Sequence, residues 1–183
     1  MYFAALYICS AASCGFFFDK IGRYRFESWF FRMTTAGWEP TVAASIVDDQ
    51  LTANADTDLI FVHADFRATS IVPVLQSHGI DKGQVILVGT DGAPTGLQSI
   101  RDGWMTLTIG VPMVEQVYGI WQFLPDVLAK KSFQDGTVDV KGIQAEMKNE
   151  SWGPTLYLPG QIVDSSNVDN ENLWGNMKVD VQQ

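Results

Sequence analysis

The chain has 183 residues, 46% of them hydrophobic and 18% charged, which is enough to bury the core of one domain. Its 21 acidic and 12 basic side chains leave a net charge of −9, with no basic cluster longer than the "AKK" of residues 129–131. Such a surface repels phosphate backbones, so no nucleic-acid partner is expected. Two cysteines, Cys9 and Cys14, and two histidines, His63 and His78, are too few and wrongly spaced for a zinc site. Neither a metal nor a cofactor is expected.

Residues 1–27 open on the apolar run "MYFAALYICSAASCGFFF", as long as the core of an export signal or a short membrane span. It has no basic residues before it, and Ala11 stands where a lipid-attachment motif at Cys14 needs a Leu-like residue. The segment reads instead as a buried helix or strand, or as an altered gene start. From Trp29 onward, apolar runs alternate with amphipathic ones, the pattern of βα units around a parallel sheet. "SWFFRMTT" is a predicted strand. "EPTVAASIVDDQLTAN" is a predicted helix with Pro40 in its first turn and Ala43, Ile46, Val47 and Leu51 at helical spacing. "TDLIFVHAD" reads as a strand ending at Asp65, and "FRATSIVPVLQSHG" as a helix kinked or shortened by Pro73 and stopped by Gly79.

A third strand, "QVILVGTD", and a third helix, "APTGLQSIRDG", follow; then a fourth strand, "WMTLTIGV", and a fourth helix, "MVEQVYGIWQFLPDVLAKK", interrupted at Pro125. After Ser132 the sequence turns to short strands and polar loops. The strands are too apolar to alternate, so helices are expected on both faces of the sheet. The fold class is therefore α/β, a parallel sheet flanked by helices, and ligands of such sheets collect beyond the carboxyl ends of the strands.

Four candidates fall at those ends. Asp65 precedes a helix start and suits the free N–H groups of the first turn. Asp91 is followed by Gly92, Ala93 and Pro94, which set the next helix start beyond it; its carboxylate suits a turn or a ligand equally. His63, without a second His or Cys nearby, reads as a core or rim residue. "GTDGAPTG" lacks the spacing of a phosphate cradle. Trp38 stands between a strand end and a helix start on the same edge. An indole beside carboxylates is the chemistry that holds a sugar, the ring meeting the C–H face while the acids accept from hydroxyls; a Trp plugging the loop layer is the alternative.

The stretches "ANADTDLIFVHADFRATSIVPVLQSHG", "VILVGTDGAPTGLQSIRDGWMTLTIGVPMVEQVYG" and "LPGQIVDSSNVD", in this order, resemble the C-terminal portion of periplasmic sugar-binding proteins of ABC importers, the ribose- and galactose-binding type. The resemblance covers about Thr35 to Trp174. It implies one lobe of a two-lobed α/β fold in which a sugar is clamped across a hinge, and it assigns residues 28–178 to that lobe with its hinge and tail segments. It further implies non-catalytic pentose or hexose binding, a periplasmic location and an importer permease as partner. Ligand binding falls on Trp38, as the aromatic that stacks on the sugar, and on Asp91, as the acceptor of its hydroxyls, with Asp65 and His63 beside them.

The sequence departs from that pattern in three places. Ala64 stands where the family has Asn, Gly110 and Val111 stand where many members place an amide, and "AASCGFF" offers no binding Arg. Each lost hydrogen bond weakens a sugar by about 1 kcal/mol, so weakened or lost binding is expected. The family's N-terminal lobe is expected to be absent. Residues 112–131, beginning at Pro112 and closing on Lys131, carry Val114, Val117, Ile120, Trp121, Phe123 and Leu124 that such a lobe would cover. That helix is expected to dock on the remaining lobe or on the apolar N-terminal segment, or else the chain self-associates. Two rivals of other classes are the effector-sensing domain of a sugar-responsive transcription regulator, which would carry a DNA-binding helix pair in front, and a small enzyme using Asp65, His63 and Asp91.

Overall fold

The structure, a computed structural model, describes residues 4–9, 30–34 and 38–177, the first two segments as backbone alone. The expectations for Cys14 and for residues 10–29 lie outside the described residues. The chain divides into two units, Met1–Gly110 with Ile162–Gln183, and Val111–Gln161.

In the first unit, the strands are β1 (Ala4–Cys9), β2 (Phe30–Thr34), β3 (Thr57–Val62), β4 (Ile86–Asp91) and β5 (Leu107–Gly110). With β9 (Gln161–Asp164) they form a sheet in the order β2-β1-β3-β4-β5-β9. The pairs β1–β2, β1–β3, β3–β4 and β4–β5 are all parallel. Residues 4–9 thus form an inner strand of the sheet, between β2 and β3. Because the strands run the same way, their carboxyl ends share one edge, which carries Trp38 just past β2, His63 just past β3 and Asp91 at the end of β4.

The connections are helices α1 (Pro40–Ala53), α2 (Asp65–Ser77) and α3 (Pro94–Arg101). Proline in the first turn of α1 and α3 needs no N–H partner there, which is why both helices start where they do. Along α1, Ala43, Val47 and Leu51 recur every four residues and are all buried. Val47 and Leu51 meet Ile60 and Val62 of β3, Ile71 and Leu75 of α2, Leu87 of β4, and Leu97 and Ile100 of α3 in one core. At about 25 cal/mol per Å² of apolar surface removed from water, this layer is the main source of stability. At the end of α2 the His78 ring bonds Asp48 of α1 at 2.7 Å.

The interruption expected at Pro125 is corrected, and Pro73 does not shorten its helix. Helix α2 runs through Pro73 to Ser77, and α4 (Met113–Leu128) runs through Pro125. Each proline leaves the carbonyl four residues before it without an N–H partner, and the helix continues past it all the same. The strand holding Asp65 is also shorter than its apolar run: β3 stops at Val62, and Asp65 is the first residue of α2.

The second unit contains α4 and an antiparallel sheet, β6 (Gly136–Val140), β7 (Ile143–Glu150) and β8 (Gly153–Tyr157). Strands β6 and β7 turn through Lys141 and Gly142, both at positive φ, as a two-residue hairpin requires. Helix α4 packs on this sheet at Gly119, where a methyl group would stand 2.9 Å from Leu156. Its Gln122 donates to the Asp139 carbonyl at 3.0 Å, and Phe123 meets Phe133 edge to face. The short strands expected after Ser132 thus cover one side of α4. Val114, Phe123 and Leu124 are half-buried, while Val117, Ile120, Trp121 and Leu128 remain exposed, Trp121 by 70%.

Candidate functional site

The sequence brings two carboxylates to adjacent strand tips, and each serves the helix that follows the other's strand. Asp65 is fully buried. Its carboxylate does not bond the first turn of its own helix, as its position suggested; α2 has no side-chain cap. One oxygen accepts from the Ala93 N–H at 2.7 Å, at the start of α3, and the other accepts from the Thr108 hydroxyl at 2.6 Å, on β5. Gly89 and Gly96 leave room for it, since a Cβ at either position would overlap the carboxyl group. Burial raises its pKa to about 6, against hydrogen bonds from Thr108, Ala93 and Gly92 that favour the charged form; the nearby charge of Asp91 adds to the rise.

Asp91 is half-buried at the end of β4 with φ 109°, in a region that L residues seldom adopt. Burial also raises its pKa, opposed by the backbone N–H of Asp65, which donates to its carboxylate at the start of α2. Beside it, the Thr90 hydroxyl accepts from the Ala64 N–H at 2.9 Å. Ala64 has φ 96°, so two neighbouring strand tips carry non-glycine residues at positive φ. Such conformations cost about 1–3 kcal/mol each and concentrate where a site must be held open to a ligand.

Trp38 reaches the same place from β2. It is 56% exposed, its ring centroid lies 6.5 Å from that of Phe66, and the Arg67 guanidinium carbon sits 4.6 Å from its ring centre. Arg67 is fully buried, and burial lowers its pKa. Ser70 on α2 donates to the Pro40 carbonyl at 3.0 Å, fixing the start of α1 and with it the indole. The first turn of α2 is therefore the bridge of the site, with residues 66 and 67 against Trp38 and the N–H of Asp65 on Asp91. His63 stacks edge-on against Phe61 at 5.5 Å and is half-buried. Burial and then the charge of Arg67 lower its pKa, so its ring is neutral at pH 7.

The rim thus gathers Trp38, His63 and Asp91, whereas Asp65, expected beside the ligand, lies fully buried behind them with both oxygens bonded inside the chain. Sequence reasoning missed Arg67, Thr90, Thr108 and Trp174. Arg67 left a signal, because a cation in the first turn of a helix opposes the helix dipole and needs a reason to be there. The others left none, since their partners lie 16 to 83 residues away. Chemically, the rim offers an indole face, a half-buried carboxylate and backbone acceptors. Among the described residues, no group of three His, Cys, Asp or Glu side chains converges as a metal ion would need.

Residues 25–132 match the family described as periplasmic binding protein domain. The ribose import binding protein RbsB of Salmonella typhimurium is 27% identical over 113 residues, 62% of this chain and 33% of that protein. Two solved structures share the fold. A periplasmic ribose ABC transporter protein of Conexibacter woesei superposes with a TM-score of 0.68 at 19% identity, covering 92% of this chain and 53% of the other. A periplasmic solute-binding protein of Actinobacillus succinogenes with bound D-allose gives 0.68 at 18% identity, covering 92% and 55%. The chain spans about a third of the curated relatives it matches and about half of these structures.

Proposed function

The chain belongs to the periplasmic binding protein family, and from that membership we propose that its strand-tip rim binds a monosaccharide, a pentose or hexose, without catalysis. The observation that carries the reading is the pairing of a 56% exposed indole with a half-buried carboxylate on one edge of a parallel sheet. The Trp38 ring covers the C–H face of a sugar, and sugar hydroxyls donate to Asp91. Ribose and allose are the first ligands to try, since the relatives named above bear those names. Asp65 supports the rim from behind, and neutral His63 borders it.

The wider role that fits is substrate capture for an ABC importer in the periplasm, with a permease as partner. Among the described residues no helix is long and apolar enough to cross a membrane. The rim by itself supplies one stacking contact and two or three hydrogen bonds, worth about 4 kcal/mol in all, which corresponds to a Kd of about 1 mM. Ala64 adds no side-chain bond, so affinity stays at that weak level. Helix α4 offers the surface for self-association through residues 112–131.

Calorimetric titration of the chain with D-ribose, D-allose, D-galactose and a disaccharide control tests the reading. Saturable binding of one or more monosaccharides near the millimolar range, reduced about tenfold in Asp91→Asn, is the expected outcome. The reading fails if no sugar binds at up to tens of millimolar, or if turnover of a substrate depends on Asp65 and His63.

A further inference from the structure

The C-terminal end of the first unit reaches back to the rim. A short 3₁₀ turn, Trp174–Asn176, follows the polar loops after β9. The Trp174 indole N–H donates to the backbone carbonyl of Asp91 at 2.6 Å. Next to it, Gly175 lies so close to the Gly92 carbonyl and to Ala93 and Leu97 that any side chain would collide with them. Gly92, at φ +73°, in turn lies within 3.0 Å of the Gly110 backbone measured from the position a Cβ would take. The pair Trp174–Gly175 thus closes on the pair Asp91–Gly92 as a latch.

The latch has its own anchors. Arg101 at the end of α3 donates to the Asn176 side-chain oxygen at 2.8 Å and to the Val168 carbonyl at 3.0 Å. The Asn176 amide donates to the carbonyls of Val168 and Asn170, at 2.8 and 2.9 Å, and Leu173 is buried in the core. The turn is therefore held by α3 and the core, and it delivers one donor to a residue whose backbone is strained. A short, well-anchored bond to the carbonyl of Asp91, a residue at φ 109°, restrains the backbone at that strained position.

We infer that Trp174 is a positioning residue for Asp91: the C-terminal turn holds the Asp91 backbone at positive φ and so keeps its carboxylate at the rim. The inference rests on the reading of Asp91 as a sugar acceptor. It makes the turn at residues 173–176 a support of the ligand site from behind. It also explains why the tail carries Trp-Gly, since the indole supplies the donor and the glycine the clearance.

Trp174→Phe keeps the ring and removes the N–H, and Gly175→Ala puts a methyl group into the Gly92 carbonyl. Two quantities are read on the full chain, ribose affinity and amide hydrogen exchange at Gly92 and Ala93, with Ile60 and Val62 of β3 as internal controls. The inference expects Trp174→Phe to weaken sugar binding about fivefold to tenfold and to speed exchange at Gly92 and Ala93 by a similar factor. Exchange at Ile60 and Val62 stays unchanged, which a general loss of stability would not allow. Should Trp174→Phe fail to fold, Gly175→Ala answers with the same pair of readouts. Unchanged affinity in a folded variant overturns the inference and leaves the sugar reading standing. If the parent chain binds no sugar, that reading falls, and the latch is judged on exchange alone: acceleration at Gly92 and Ala93 upholds it, and no change overturns it.

Discussion

At the strand tips, Asp65, Asp91, Thr90 and Thr108 are each bonded to backbone or side chains of neighbouring elements, and the polar groups hold one another in place. On α4 the opposite holds: Val117, Ile120, Trp121 and Leu128 lie open on a helix whose other side rests on β6–β8. The difference teaches which surface is finished. A buried carboxylate left without donors would cost several kcal/mol, so Asp65 must find its donors within the chain, as it does at Ala93 and Thr108. Exposed apolar side chains carry no such local penalty and are stabilised whenever another surface covers them.

Breaking the rim should give the largest effect. Asp65→Ala leaves the Ala93 N–H and the Thr108 hydroxyl without their acceptor in the interior and should lower stability by about 3 kcal/mol. Urea unfolding followed by far-ultraviolet circular dichroism measures this, and a loss under 1 kcal/mol would mean the carboxylate is dispensable. On the other side of the comparison, Trp121→Glu should abolish self-association. Burying that indole is worth about 3 kcal/mol, and sedimentation velocity should show the variant as a single chain of 20.3 kDa while the parent forms larger species. A parent chain that stays single at all concentrations would show that this face needs no cover. Smaller again is Trp38→Ala, which should weaken ribose about fivefold to tenfold without changing the unfolding midpoint, because the ring is more than half exposed.

The smallest effect is a pH dependence with an unusual sign. In the folded chain Asp65 takes up its proton near pH 6, against 3.8 for an ordinary aspartate. Between those values the folded state binds more protons than the unfolded one. The contribution of Asp65 to stability is therefore full below about pH 4 and is lost as pH rises through 6. Burial shifts Asp91 in the same direction. Thermal unfolding between pH 7 and 5 should thus show a midpoint that rises as acid is added, and Asp65→Asn should flatten the slope. A steady fall over this range in the parent chain would contradict the assignment.

How far the sequence reaches is plain from particular residues. Ala43, Ile46, Val47 and Leu51 announce α1, and all of them pack in or against the core, because helical spacing and burial are local properties. The strand tips at His63 and Asp91 were legible for the same reason. The direction of the Asp65 carboxylate was not, because its acceptor role depends on Ala93 and Thr108, 28 and 43 residues downstream. The backbone twist at Ala64 and Asp91 left no trace either, since neither is a glycine. Ile143, Ala145 and Met147 alternate with polar residues along β7, but which strands it pairs with depends on contacts across turns, and that pairing provides the cover for one side of α4. Trp174 looked like one aromatic in a polar tail; only the folded chain puts it on the carbonyl of Asp91.

The claim that everything else depends on is that sugar meets the carboxyl edge of the parallel sheet. A ¹⁵N-labelled chain titrated with D-ribose, followed residue by residue in two-dimensional NMR, tests it most directly. Saturable shifts confined to Trp38 and its indole, residues 63–67 and residues 91–93 are predicted. Shifts that gather instead in the apolar groove between α4 and β7–β8, around Ile120, Phe123 and Met147, or no shifts at any concentration, would contradict it.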